Sequence, residues 1–159
     1  MAGDVSVVEI TELPKMDVGA PLPIVLADDY GLVLSYLLLG PMMGPIIGAY
    51  ILFDGLRTHS LGSPNDEALR GHPLWSRGLR SYGAFQVENS PLIESLERIN
   101  SIHPFHKPER YQVLKHFIFT FHDSTFECVA TSFQIKTAEG EIRSARLALM
   151  EDMLNAKNH

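Results

Sequence analysis

A single cysteine, Cys128, is all the thiol chemistry this chain has. No intrachain disulfide can form, and a reducing compartment, the cytoplasm, is the expected address. Basic charge is also scarce: 13 Lys and Arg stand against 19 Asp and Glu, for a net charge of −6. With no run of Lys or Arg, neither nucleic acid nor an anionic membrane is expected as a partner. The N-terminus, MAGDVSVVEI, lacks a basic segment followed by a long apolar one, so no secretory signal is expected. Also missing are a GxSxG elbow, a Gly-rich phosphate loop and a CxxC pair, which removes the commonest signatures of serine hydrolases, nucleotide binders and dithiol chemistry.

What is present is enough for a core. At 159 residues and 45% apolar content, the chain fits one domain spanning residues 1–159, with residues 1–20 readable as a loose N-terminal segment. Residues 32–53 carry no charge and are long enough for a membrane helix, with Gly40, Gly44 and Gly48 at GxxxG spacing. Pro41 and Pro45 interrupt that stretch, at ~3 kcal/mol each inside a helix, and no basic residues flank it. The better parse is strand, loop GPMMGPIIG, then a strand from about Ala49 to His59. The loop, apolar and bearing Met42 and Met43, suits a subunit contact or a pocket cover.

The strongest strand signal is HFIFTFHDSTFECVATSF, residues 116–133. Two runs of Phe, Ile, Thr and Val flank a polar tetrad, the pattern of a β-hairpin. A turn centred on Asp123-Ser124 sets Phe121 opposite Phe126, Phe119 opposite Cys128 and Phe117 opposite Ala130, all on one apolar face. The other face carries His116, Thr120 and His122 on one strand and Glu127 on the next. Glu127 then lies diagonal to His122, ~7–8 Å away between backbones, a gap that long side chains close.

A first hairpin is expected around Asp28-Asp29-Tyr30-Gly31, a tetrad suited to a type I turn. Ser63 to Gly71 carries the punctuation of a short capping helix: Ser at the cap, Pro64 at its first position, Gly at the end. Ser90-Pro91 opens a mid-chain helix over residues 91–102, and Leu147, Met150, Met153 and Leu154 give residues 144–154 helical spacing. Together these elements predict an α+β fold: an antiparallel sheet of about five to seven strands with one mid-chain helix, one C-terminal helix and the short capping helix, the helices lying on one face. If that is the Phe face, the His122–Glu127 face points to solvent, a cleft or a second subunit.

Three kinds of chemistry follow from the polar residues. His122 with Glu127 or Asp123 suits metal-free acid–base catalysis, the carboxylate fixing the imidazole tautomer. The HxxH pair His103 and His106, with His122, supplies enough nitrogen donors for zinc, although Pro104 denies the pair a fixed helical face. His72, His103, His106, His116 and Thr120 are candidate binding residues. Against these stand plainer roles: Asp123 as a turn former, Glu127 as an exposed cross-strand partner, Cys128 as a core thiol among phenylalanines.

The segments GSPNDEALRGHPLWSRGL, SYGAFQVENSPLIESLERINSIHP and KHFIFTFHDSTFECVA resemble a group of small uncharacterised bacterial proteins, over about the last two thirds of the domain. The resemblance implies kinship and carries no activity, so no functional residue passes over from it. The residues themselves favour a soluble homo-oligomer that binds a small polar molecule or a protein partner on the His122–Glu127 sheet face. The rival expectation is a small enzyme, a metal-dependent hydrolase or a metal-free acid–base catalyst.

Overall fold

A computed structural model describes residues 3–157; Met1 and Ala2 of the N-terminal segment lie outside them. The chain is α+β. In order, its strands are β1 (Ser6–Glu9), β2 (Ile24–Ala27), β3 (Gly31–Leu37), β4 (Ile47–Asp54), β5 (Thr58–Gly62), β6 (Gly83–Glu88), β7 (Lys115–Thr120), β8 (Thr125–Ala130) and β9 (Ser132–Glu139). The helices are α1 (Pro91–Asn100), α2 (Glu109–Gln112) and α3 (Arg143–Lys157), with 3₁₀ turns at Leu69–Gly71 and Trp75–Arg77. Where a helix is expected from Ser63 to Gly71, only the 3₁₀ turn at its end forms, because Asp66 and its neighbours are drawn into contacts with the hairpin tip.

The strands divide between two antiparallel sheets, ordered β1-β6-β7-β8-β5 and β2-β3-β4-β9. They face each other over one core, in which Phe117, Phe119, Phe121, Phe126 and Cys128 meet Leu34, Tyr36, Ile51 and Phe53. The Phe face of the hairpin is therefore covered by a second sheet and not by helices. The reason lies in the uncharged stretch. β3 and β4 are its two arms, and β3 is buried along its whole length. A strand covered on both faces reads as a continuous apolar run, which is why this segment imitates a membrane helix. No helix among the described residues is long and apolar enough to cross a membrane. Between the arms, Met42 and Met43 stand fully exposed.

The strand expected to run from Ala49 to His59 is broken at Gly55, whose φ of +66° and 2.5 Å clearance from a would-be Cβ to Thr131 Oγ1 require glycine. Here the chain passes from one sheet to the other. Thr131 makes the same passage between β8 and β9, and its amide and hydroxyl both donate to Asp54 O, at 2.8 and 2.9 Å. The two passages form one corner of the sandwich. At another point, residues 10–16 cross between the sheets, burying Leu13 and Met16 in the shared core, so the N-terminal segment is packed from β1 onward.

Each sheet has a covered outer face. α3 lies on the second sheet, with Met150 and Leu154 against Val33, Tyr50 and Leu52. Its Arg146, 2% exposed, donates Nη2 to Ser35 Oγ (2.9 Å) and to Leu22 O (2.9 Å), so the buried guanidinium is held by neutral acceptors. On the first sheet, Leu69, Leu74, Trp75 and Leu79 pack over Phe85, Val87 and Ile118. This cover, from residues 63–79, decides what becomes of the polar face of the central hairpin.

Candidate functional site

β7 and β8 pair as expected in sign but not in register: Thr120 lies opposite Thr125, Phe119 opposite Phe126, Phe117 opposite Cys128 and Ile118 opposite Glu127. The turn is centred on His122-Asp123, closed by Phe121 N–H on Ser124 O at 2.8 Å. Partners move by two positions, an even number, so every side chain keeps its face. The cause is visible at the tip. Asp66 N–H donates to His122 O (3.0 Å) and Thr125 Oγ1 donates to Pro64 O (2.9 Å), so residues 63–68 clamp the turn in this register.

The expected His122–Glu127 pair does not form. Each group finds a nearer partner, and the polar face separates into two sites. In the first, His116 is 2% exposed. Its Nε2 lies 2.5 Å from Glu127 Oε1 and its Nδ1 2.7 Å from Ser90 Oγ. Ser90 also caps α1, accepting from Ile93 N–H at 3.2 Å. With the Nε2–H tautomer, the Ser90 hydroxyl donates to His116 Nδ1 and the imidazole Nε2–H to Glu127. Hydroxyl, imidazole and carboxylate follow one another as in a nucleophile relay, yet here each bond has a packing duty: it ties the start of α1 to β7 and β8. His72 stands beside this chain with Nδ1 accepting from Leu74 N–H at 3.0 Å. Burial pushes the His72 imidazole down despite the opposing pull of Glu127. For Glu127, burial would raise the carboxyl, but the hydrogen bond and electrostatic pull of His116, with His72 nearby, hold it below the usual carboxylate range.

The second site is open. Asp66 Oδ2 accepts from the Tyr82 hydroxyl at 2.5 Å and lies 2.7 Å from His122 Nδ1. The hydrogen bond from Tyr82, then that of His122, holds the Asp66 carboxyl below its ordinary value. The same bonds push the His122 imidazole and the Tyr82 phenol up. Asp66 thus orients the imidazole through Nδ1, and the ring, 44% exposed, presents Nε2 outward with Asp123 Oδ1 3.8 Å away. This is the arrangement a general base or acid requires.

Tyr82 joins that cluster to a cavity. It has φ +60°, the left-handed region that a bulky residue enters only when its surroundings impose it. Thr120 supplies the constraint: its buried hydroxyl donates to Arg80 O (2.7 Å) and accepts from Gly83 N–H (3.1 Å), bracketing Tyr82 on both sides. Thr120 is thereby a positioning residue. So placed, Tyr82 lines a cavity of about 410 Å³ whose walls also include Glu9, Thr11, Lys15, Tyr36 and Gly83. Tyr36 donates its hydroxyl to Pro14 O at 3.0 Å and burial raises its phenol, so this group is a wall rather than an acid.

The remaining candidates lie elsewhere. His106 packs on Tyr111, with Nδ1 2.9 Å from Asn100 Nδ2, while His103 Nδ1 accepts from Phe105 N–H at 3.0 Å. They do not gather with His122: among the described residues no three His, Cys, Asp or Glu side chains are arranged to hold a metal ion. The expected zinc trio of His103, His106 and His122 is therefore not assembled, since the hairpin tip is held by Asp66 and the HxxH loop by the end of α1. Cys128 is buried in the core and burial raises its thiol, as a packing residue requires.

The structure brings Asp66, Tyr82 and Ser90 into these two clusters, although the sequence around each points to another duty. Asp66 lies within helix-cap punctuation, Tyr82 reads as a core or rim aromatic and Ser90 as the opening of a helix. Only the Asp66–Tyr82 separation of sixteen positions, closed by the fold, reveals the cluster. Compared with known proteins, the chain matches no family model, no curated protein and no solved structure.

Proposed function

We propose that this protein binds a small polar molecule in the cavity between residues 9–16 and Tyr82–Ala84, with Tyr82 in its wall linked through Asp66 to His122. The observation that carries this reading is Tyr82: its backbone is held left-handed, its hydroxyl is fixed on Asp66, and it is one of the residues that line the cavity. A concave site with a few convergent polar groups is the form that small-molecule sites take. Glu9 and Lys15 offer charges of both signs there, which suits a ligand with more than one polar group. The test is ligand-detected NMR with a panel of amino acids, hydroxy acids and small sugars. Binders should shift the amides of residues 9–16 and 82–84, and Tyr82→Ala or Lys15→Ala should weaken them by roughly tenfold or more, the worth of one lost hydrogen bond to a charged group. Binding that ignores both substitutions, or maps elsewhere, would overturn the reading.

A second reading, metal-free acid–base catalysis on such a ligand, is favoured by the Asp66–His122 geometry. General acid–base groups contribute ~10²–10⁴ in rate, so His122→Gln should lower any turnover of a cavity ligand by at least about a hundredfold. The pH profile should break above the ordinary histidine value, because Asp66 stabilises the imidazolium. A His122→Gln variant with unchanged turnover would remove His122 from the chemistry while leaving the binding site intact.

A further inference from the structure

The end of α1 carries a second site, apart from the Tyr82 cavity. Ile99 on α1 and Ile102 just past its end are 69% and 92% exposed, so apolar side chains here stand uncovered. Leu96, Ile99, Ile102 and Pro104 line a groove of about 510 Å³. It adjoins a second hollow of about 300 Å³, walled by Phe105, Lys107 and Arg110, and the two share Arg57, His103 and Tyr111. The two hollows meet at these shared side chains and together make a trough whose groove side is richer in apolar groups and whose other side adds Lys107 and Arg110 to Arg57. Among the described residues Arg57, Lys107 and Arg110 form no ion pair, not even with Glu109 beside Arg110. The Arg57 guanidinium gives one hydrogen bond, to Gly55 O at 3.0 Å. Glu97, the nearest acid along α1, faces His106 at 3.8 Å. In a chain of net charge −6, three unpaired cations at one hollow make a local field opposite to that of the whole molecule, which attracts an anion. Exposed large apolar side chains beside it mark a surface that gains by being covered.

We propose that this trough binds a small amphiphilic carboxylate, the apolar tail lying along Ile99 and Ile102 and the carboxylate between Arg57, Lys107 and Arg110. Neither half suffices: an exposed ion pair alone is weak, and a short apolar tail alone gains too little area to bind measurably. Octanoate is the probe, with acetate and 1-octanol as its two halves, in ¹H–¹⁵N NMR titrations of the whole protein. Octanoate should bind saturably, shifting amides of Arg57 and of residues 96–111, while acetate and 1-octanol bind at least tenfold more weakly. The double variant Lys107→Glu, Arg110→Glu, both at the surface, should weaken octanoate by tenfold or more with an unchanged melting temperature, and Ile102→Asp should do the same from the other end. Equal binding of octanoate and 1-octanol, indifference to the charge reversal, saturation at other residues, or no saturation at millimolar octanoate would each overturn the proposal. Because Tyr82→Ala leaves this trough untouched, its failure is separable from failure of the cavity.

Discussion

Phe53→Ala is expected to cost about 3–5 kcal/mol of unfolding free energy, the range for truncating a buried phenylalanine without full collapse of the site. Phe53 is wholly buried on β4 at the meeting of the two sheets. Its ring lies 5.4 Å from that of Phe117, 5.8 Å from Phe126 and 6.2 Å from both Phe119 and Phe133. Those partners come from β7, β8 and β9, so one side chain bridges three strands and both sheets. Domains of this size are stable by ~5–15 kcal/mol, and the variant should lie close to unfolding at 37 °C. Urea denaturation followed by near-ultraviolet circular dichroism gives the number. Phe53→Leu, which keeps most of the volume, should recover more than half of it. A loss below about 1 kcal/mol for the alanine variant would mean that the second sheet does not cover the hairpin.

His116→Ala should be nearly as costly, at about 3 kcal/mol, because it leaves two partners behind as well as a void. Ser90 Oγ would keep only its bond from Ile93 N–H, and Glu127 would lose the donor at 2.5 Å that satisfies its carboxylate. An unpaired buried polar group costs ~1–3 kcal/mol, more when charged. The pH dependence carries the same signature. Glu127 has a depressed carboxyl in the fold, so its contribution is complete above the ordinary carboxylate value near 4.3 and is lost as pH falls through the lower folded value. His72 is depressed by burial, so the unfolded chain takes up its proton first, and stability falls as pH drops below about 6.5. Both groups make the protein less stable in acid. Glu127→Gln, which still accepts from His116, should flatten the part of the profile below about pH 4.5 while preserving the helix cap. A wild-type profile that is no steeper below about pH 4.5 than that of Glu127→Gln would sink this account.

Much of the hairpin was legible because side-chain alternation is local. Phe117, Phe119 and Phe121 share a face with Phe126 and Cys128 in either register, and His116 and Glu127 share the other. The turn at Asp28 was legible for the same reason: Asp28 Oδ1 accepts from Tyr30 and Gly31 N–H groups two and three residues on. So were the start of α1, where Ser90 caps and Pro91 follows, and the terminal helix. The two histidine partnerships were not. His122 meets Asp66 from fifty-six positions away, and it does so because residues 63–68 fold onto the hairpin tip instead of forming a helix. Nothing in a strand's own sequence states which segment will cover its outer face.

Residue types by themselves therefore determined the α+β class, the positions of most strands and helices, the inward face of the aromatic hairpin and the inert character of Cys128. Backbone preference and the two-residue strand period act between near neighbours, so a linear reading contains them. The tertiary structure alone decided that the uncharged stretch is the second sheet of a sandwich, that Glu127 answers to His116 and His122 to Asp66, and that Tyr82 connects this cluster to a cavity. These are contacts between distant residues, fixed by which apolar faces bury one another best, and only the folded chain brings them within hydrogen-bond reach.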